Sequence, residues 1–392
     1  MKILAIETSC DETAVAVVEK RDGEDFVRVL AESKATSEET HKITKGVVPE
    51  LAAREQLSSI IPIINISLKD AVLNSKHKIL NSKQITNNNS QKLKKSGDLK
   101  ISDWVRENID AVAVTVGPGL IGSLLVGVET AKTLAIAWEK PMLPVNHLVG
   151  HLYANFVSTM TNFQFPISNQ KSINKFQIPR FPAVGMVVSG GHTDLVLMKS
   201  HSEIQYLGGT RDDAAGECFD KCARVILDAS YPGGPAISAA ADKFEVRSSK
   251  FEVSLPRPMI HDKNYDFSFS GLKTAVVNAY KKQETRNKLQ EYKNALAWEL
   301  QEAVVEVLVT KLMRAVEEYS PASVVIGGGV AANARLKDEL HAKCQMPNVK
   351  LFIPPLKWCS DNAVMIGAAS LLNYSPAKIL SVKADPGLTI KD

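Results

Sequence analysis

Much that would point to an easy assignment is missing from this chain of 392 residues. Its five cysteines (Cys10, Cys218, Cys222, Cys344 and Cys359) are odd in number and scattered, with no C-x-x-C pair among them. That excludes a disulfide scaffold and points to a reducing compartment. Cys218 and Cys222 share a helix face and read as small packing residues. No apolar run approaches the length needed to cross a bilayer. The opening run, residues 1–6, stops at Glu7 and is too short for the apolar core of a signal peptide. A cytoplasmic location and no membrane contact are therefore expected. Charge of one sign is missing too: a net +4, with 23% charged residues, permits contact with nucleic acid without requiring it. Finally, no glutamate follows His147 in the pair His147 and His151. Leu148 stands where the zinc-peptidase pattern H-E-x-x-H needs its general base, which excludes peptide hydrolysis of that kind.

A hydrophobic content of 45% over this length supports two domains with substantial cores. The stretch Pro144-Val-Asn-His-Leu-Val-Gly-His151 organises the rest. Histidines four apart stack on one helix face, where they can share one divalent cation completed by a ligand from elsewhere. The spacing alone fits equally two histidines that happen to share a face. The apolar runs 135–137 and 142–145 feed into the pair as a buried strand feeds a helix whose start carries chemistry, and this favours the metal.

Residues 3–6 form a buried-type strand, 7–13 a polar turn and 14–18 a valine-rich strand: a β-hairpin whose tip carries Asp11 and Glu12. Adjacent carboxylates are costly unless a cation or proton shares the site, although a solvated turn is the simpler account. A second hairpin has the same design. Residues 183–188 are apolar, Ser189-Gly-Gly-His-Thr193 is a tight polar turn, and 195–198 are apolar again. The glycines let backbone N–H groups approach an anion closely. Two such hairpins half a chain apart predict two related domains facing each other across a cleft.

Between and after them, 47–68 has helical periodicity with Pro49 in its first turn. Residues 74–100 hold seven lysines against one acid, Asp98, and read as a surface insertion whose lysines touch solvent or phosphates. Residues 160–180 form a second polar insertion. Residues 111–116, then Gly117-Pro-Gly119 and a helix from Leu120, make a strand–turn–helix unit able to accept an anion at the helix start. The acids Asp212, Asp213, Glu217 and Asp220 are expected to open a helix, as the macrodipole favours. Residues 295–318 read as a long amphipathic helix. Residues 323–326 form a strand running into the glycine-rich turn 327–333, of the kind that cradles phosphates. Asp361 stands at the start of a small-residue helix, where an N-cap role is an ordinary account.

The segments IETSCDETAVAVV, GVVPELAAR, GPGLIGSLLVG, NHLVGH, VVSGGHTDLV, DDAAGECFDK, YPGGP, RPM, DFSFSGLKT, GGGVAAN and CSDNAVMIG occur in that order. Together they resemble the TsaD family, the transferases of tRNA threonylcarbamoyladenosine synthesis, over nearly the whole chain outside the two insertions. The resemblance implies an actin-like ATPase fold of the ASKHA class (sugar kinase, Hsp70 and actin), α/β, with two related domains around a central cleft. Domains are expected at 1–145, joined by a C-terminal helix at about 360–376, and at 146–359. It implies that His147, His151 and Asp361 bind one divalent metal, iron first and zinc as the alternative. It places substrate and nucleotide at Val187, Val188, Ser189, Gly190, Gly191, Asp220, Gly234 and Asn333, and catalytic acids at Asp11 and Glu12. An adenine nucleotide is implied: threonylcarbamoyl-adenylate and AMP, or ATP with Mg²⁺. The implied partners are tRNA, a TsaB-like paralogue, a TsaE-like ATPase and a separate synthase supplying the adenylate. The chain departs from the family's frequent residues at Lys45, Gln56 and Asn146.

The implied reaction moves threonylcarbamoyl from its adenylate to the exocyclic amine of the adenosine beside the anticodon, in tRNAs reading codons that begin with A. Its rival on the same fold is an ATP-dependent small-molecule kinase. The histidine pair separates them, since phosphoryl transfer to a sugar needs Mg²⁺ on oxygens. An inactive scaffold would be expected to have lost one of the three ligands, and all three are present.

Overall fold

The structure, a computed structural model, describes residues 1–36, 48–80, 101–158, 177–229, 231–244, 251–283 and 289–392; of 76–80 and 283 it describes the backbone only. Its strands form two five-stranded sheets with one plan. The first contains β1 (Lys2–Glu7), β2 (Glu12–Glu19), β3 (Arg28–Thr36), β4 (Ala111–Gly117) and β5 (Met142–Asn146), in the order β3-β2-β1-β4-β5. β1 pairs antiparallel with β2 and β2 with β3, while β1–β4 and β4–β5 are parallel. The second contains β6 (Ala183–Val188), β7 (Thr193–Met198), β8 (Ile204–Gly209), β9 (Ser323–Gly327) and β10 (Lys350–Phe352). Its order, β8-β7-β6-β9-β10, repeats the first strand for strand. So do its pairing senses: β6–β7 and β7–β8 antiparallel, β6–β9 and β9–β10 parallel. The two hairpins read from the sequence are the first two strands of each copy. The fold is α/β, duplicated, and consistent with the ASKHA class.

The apolar runs become strands buried on both faces because helices cover both faces of the sheet. In β1, Leu4 and Ile6 pack with Ile60, Ile64 and Leu68 of α1 (Pro49–Leu80) and Val128 of α3 (Ile121–Trp138). Alternation turns Ala5 to the other face, where Gly367 of α10 (Ala363–Leu372) lies against Ala5 and Val18. Each fully buried Leu or Ile here contributes about 1.5–3 kcal/mol relative to exposure. Between β3 and β4, α1 is followed by α2 (Ile101–Asn108). Contrary to the expectation of no apolar run of spanning length, α3 has 18 residues with a mean hydropathy of 1.3, and among the described residues it alone is long and apolar enough to cross a bilayer. It serves as the crossover that two adjacent parallel strands, β4 and β5, require. α4 (His147–Tyr153) follows β5 directly.

The second core joins Val184, Met186 and Val188 of β6 to α5 (Ala215–Leu227), α6 (Gly233–Ala241), α7 (Ser270–Gln283) and α8 (Leu289–Tyr319). α9 (Ala334–Lys343) precedes β10. Cys218 and Cys222 are fully buried in this core, as small packing residues should be. Beyond β9 the chain turns on Gly328, whose φ of +97° suits glycine; a Cβ there would lie 2.3 Å from the Val188 carbonyl oxygen.

The chain divides into two compact units, one containing Met1–Ser37, Val48–Gln177 and Asp361–Thr389, the other Ile178–Ser360 and Ile390–Asp392. α4 thus falls in the first unit, past the boundary drawn at 145 and 146, because it packs on α10 of that unit. Two other expectations shift. α1 continues to Leu80, so the insertion expected at 74–100 begins inside a helix; residues 81–100, like Lys45 and 159–176 of the second insertion, lie outside the described residues. α5 begins at Ala215, so Asp212 and Asp213 precede it. Asp212 instead accepts the Ser268 and Ser270 hydroxyls and the Phe269 and Ser270 N–H groups at the start of α7. The helix whose free N–H groups it serves is therefore α7.

Gly328→Val should lower stability by at least about 2 kcal/mol, through strain and overpacking together. A melting temperature equal to wild type would contradict this account of the β9 turn.

Candidate metal centre

β5 delivers the chain to α4 without an intervening loop. The Asn146 side chain caps the helix, its Oδ1 accepting the N–H groups of Leu148 at 2.9 Å and Val149 at 3.4 Å. Its amide donates to the Thr389 carbonyl at 2.7 Å. One turn of α4 separates His147 from His151; both are buried, with ring centroids 4.6 Å apart at 77°. The cap of α10 is Asn362, whose Oδ1 accepts the Met365 N–H at 2.9 Å. The N-cap role expected for Asp361 thus belongs to its neighbour. Asp361 is left facing the histidines, its Oδ1 3.4 Å from each Nε2. Gly150 permits the approach of α4 to α10, since a Cβ there would lie 3.3 Å from Met365 Cγ.

The second nitrogen of His147, Nδ1, lies 3.1 Å from Glu7 Oε2 and 3.2 Å from Ser9 Oγ. Both nitrogens of His151 are buried and make no hydrogen bond. Orphaned buried nitrogens are costly unless something absent from the chain itself satisfies them. One atom from each of His147, His151 and Asp361 lies within 4.8 Å of the others, a set that fits a divalent cation. Two imidazoles and a carboxylate suit zinc or iron rather than Mg²⁺.

The charges are strongly coupled. Burial disfavours a charged His147, yet Glu7 and Asp361 outweigh it and hold the imidazole well above its ordinary value. Burial likewise opposes the Asp361 carboxylate, but His147 and His151 keep it well below the usual range. Burial pushes His151 down, and Asp361 offsets this only in part.

Of the expected acids, Glu12 opens β2 and is raised to about 7, by burial first and the Asp361 charge second, with Lys34 pulling it down. Lys34, on β3, pairs with Glu12 and donates to the Asp361 backbone carbonyl at 3.1 Å. Asp11 is buried at the same hairpin tip. Gln56 holds that tip, its amide donating to the carbonyls of Cys10 and Glu12 at 3.0 Å each.

The other expected residues are in the second unit. Val187 and Val188 end β6; Ser189, Gly190 and Gly191 turn toward β7, and the Ser189 carbonyl accepts the Gly216 N–H of α5 at 3.2 Å. Asp220 of α5 accepts the Gly233 N–H at the start of α6, next to Gly234. Asn333 caps α9 through Oδ1, while its amide donates to Ser238 of α6 and Gln301 of α8 at 2.9 Å each.

Residues 98–368 match the family model of TsaD, described as tRNA N6-adenosine threonylcarbamoyltransferase. Over 392 aligned residues the chain is 41% identical to the tRNA N6-adenosine threonylcarbamoyltransferase of Bacillus thuringiensis (strain Al Hakam), covering 99% of this chain and 96% of that one. The chain belongs to the TsaD family. The Staphylococcus aureus (strain JH9) protein of the same name is 39% identical, over 96% of this chain and 92% of its own. Among solved structures, the activator of 2-hydroxyisocaproyl-CoA dehydratase from Clostridium difficile aligns over 94% of this chain and 93% of its own, at 11% identity and a TM-score of 0.43. A tRNA substrate follows from membership of the TsaD family, and family and site together fit a divalent metal and a nucleotide.

Four residues of this TsaD-family site escaped the sequence reading: Glu7, Ser9, Thr115 and Lys34. Glu7 ends an apolar strand, and only its burial shows that it points inward rather than opening a solvated turn.

Glu7 and Asp361 favour the protonated form of His147, so a cation binding at Nε2 competes with a proton. The raised value of His147 means that the stability it contributes is fully present below about 6.5 and lost as pH rises through the folded value. Asp361 has the opposite sign: its contribution is present above about 3.9 and lost as pH falls through its depressed value. Zinc titrated into chelator-stripped protein should bind more tightly as pH rises toward the raised folded value of His147, releasing a proton. Affinity independent of pH would contradict the coupling.

Proposed function

We propose that this chain transfers the threonylcarbamoyl group of threonylcarbamoyl-adenylate to the exocyclic amine of the adenosine next to the anticodon, in tRNAs reading codons that begin with A, releasing AMP. One observation carries the reading beyond family membership. Asp361 turns its carboxylate to the two histidines and its backbone carbonyl to Lys34, which pairs with Glu12. The candidate metal ligands and a carboxylate raised to about 7 are therefore parts of one connected site.

The donor is a mixed anhydride, so its carbonyl is already activated and no protein nucleophile is needed. His147, His151 and Asp361 would hold a divalent ion, iron first, which supplies Lewis-acid polarisation of an oxygen. The amine nitrogen forms a bond to the carbamoyl carbon, the bond from that carbon to the phosphate oxygen breaks, and AMP leaves with the electron pair. Glu12 takes the proton the amine loses; a carboxylate titrating near neutrality is poised to do so. Asp11 stands beside it as the second acid. We assign the adenylate to the turn at 187–191 with Asp220, Gly234 and Asn333, where backbone N–H groups suit a phosphate. No observation favours the kinase reading.

A TsaB-like paralogue fits the uncovered apolar surface of the first unit. Leu57 and Ile61 of α1 are 69% and 53% exposed, and Ile121 and Leu125 of α3 are 50% and 44% exposed. Leu57, Ile61 and Leu125 line, with Leu134, an open groove along the two helices. Uncovered apolar area of this kind marks an interaction face. We place a TsaE-like ATPase and a separate adenylate-supplying synthase beside it in the pathway, and the protein in the cytoplasm, where its five free cysteines stay reduced.

Transfer to an unmodified tRNA, assayed with partners and with metal content measured, should fail in His147→Ala and Asp361→Ala together with the metal. Glu12→Gln should keep the metal and lose about 10²–10⁴ in rate. No product from metal-loaded, folded wild type with partners present would overturn the assignment. Leu57→Asp with Ile61→Asp should weaken partner association about tenfold or more while the isolated protein stays folded; unchanged association by calorimetry would move the interface elsewhere.

A further inference from the structure

His147 and His151 are held in unequal ways. His151 makes no hydrogen bond at either nitrogen, and only Asp361 Oδ1, 3.4 Å from Nε2, lies opposite it. His147 is fixed by Glu7, a carboxylate with no solvent exposure at the end of β1. Glu7 Oε1 accepts the Ser9 N–H at 2.6 Å. Its Oε2 accepts the Thr115 hydroxyl of β4 and lies 3.1 Å from His147 Nδ1. Among the described residues its only oppositely charged partner is His147.

We propose that Glu7 is a positioning residue: it holds His147 with Nδ1 protonated, so that Nε2, facing Asp361, is the nitrogen presented to a metal ion. The inference rests on the metal reading above. An ionised carboxylate can only accept hydrogen bonds. Were Nδ1 unprotonated, its lone pair would face a buried carboxylate oxygen at 3.1 Å, a repulsion that only donation from the Ser9 hydroxyl at 3.2 Å would offset, whereas a protonated Nδ1 is stabilised by the carboxylate directly. The proton therefore stays on Nδ1, and the lone pair stays on Nε2 once a cation displaces the second proton. Oxygens that fix the ring and tautomer of a ligating histidine are a recurrent feature of metal sites. Here the fixing oxygen is anchored by two strands: Glu7 ends β1, and Thr115, which donates to it, belongs to the parallel neighbour β4. The sheet thereby sets the angle of a ring on α4.

Glu7→Gln tests this without changing side-chain size. The amide offers one accepting oxygen and one NH₂ group, while donors approach both Glu7 oxygens. Either the NH₂ faces His147 and drives it to the Nε2–H form, or it faces the Ser9 N–H and disrupts the turn. Zinc affinity, read by chelator competition in the full chain, should fall about 10–100-fold in Glu7→Gln. The cobalt-substituted variant should show an altered visible spectrum. In zinc-loaded wild type labelled with ¹⁵N at histidine, NMR should report His147 with Nδ1 protonated and Nε2 bound. That measurement tests the proposal even if Glu7→Gln does not fold. Zinc binding that is lost in His151→Ala but unchanged in Glu7→Gln would overturn the role of Glu7 and leave the metal site intact. A His147 bound through Nδ1 would overturn it as well. Zinc binding that survives His151→Ala would overturn the metal reading itself.

Discussion

Four ionisable groups, Glu7, His147, His151 and Asp361, meet in the first unit, the first three of them buried. Isolated charges of this kind are too costly to bury. They persist because they alternate: carboxylate, imidazole, carboxylate, imidazole, with Nε2–Oδ1 approaches of 3.4 Å and a Nδ1–Oε2 contact of 3.1 Å. The chain is incomplete at one link, because neither nitrogen of His151 makes a hydrogen bond. A divalent cation bound at the Nε2 side would complete it, satisfying one of those nitrogens and sharing the Asp361 charge. The site is thus balanced for a ligand that the polypeptide does not itself provide.

The rest of the first unit maintains this arrangement. β5 and α4 join without a loop, so the helix inherits its direction from the sheet, and the Asn146 cap holds the first turn in place. α10 brings Asp361 in from the far end of the chain, packed on β1 and β2 by small residues such as Gly367. β1 and β4 supply Glu7 and Thr115. The hairpin of β2 and β3 adds Glu12 and Lys34. Four strands, α4 and the residue preceding the cap of α10 therefore aim side chains at one point, and the rigidity of a doubly covered sheet keeps them aimed. The second unit repeats the strand plan with different chemistry at its hairpin: glycines and a serine instead of carboxylates, beside α5, whose Asp220 accepts the Gly233 N–H at the start of α6.

Much of this was legible in the chain itself. The strands stood out because apolar runs of four to six residues end in polar turns, and the duplication because two hairpins share one design. His147 and His151 announced a shared helix face through their spacing. The less legible parts are those in which a residue's role depends on its surroundings. Asp361 and Asn362 are both good capping residues, and nothing local says which of them caps. Asp212 looked like the opening acid of α5 and caps α7. Glu7 looked like the first residue of a polar turn, because strand parity alone does not say whether a terminal glutamate faces a helix or water.

By itself, then, the sequence determined the element types, the duplicated α/β plan, the metal-capable histidine pair and, through its ordered motifs, the family. Those properties follow from periodicity, turn chemistry and local spacing, all of which act within a few residues. Tertiary structure decided which carboxylate orients His147 and which acid is raised to about 7, and it brought Asp361, already named by the ordered motifs, against the histidine pair. These depend on burial and on charges brought together from distant parts of the chain. Coulomb interactions and desolvation act through space rather than along the chain, so only the folded arrangement assigns them.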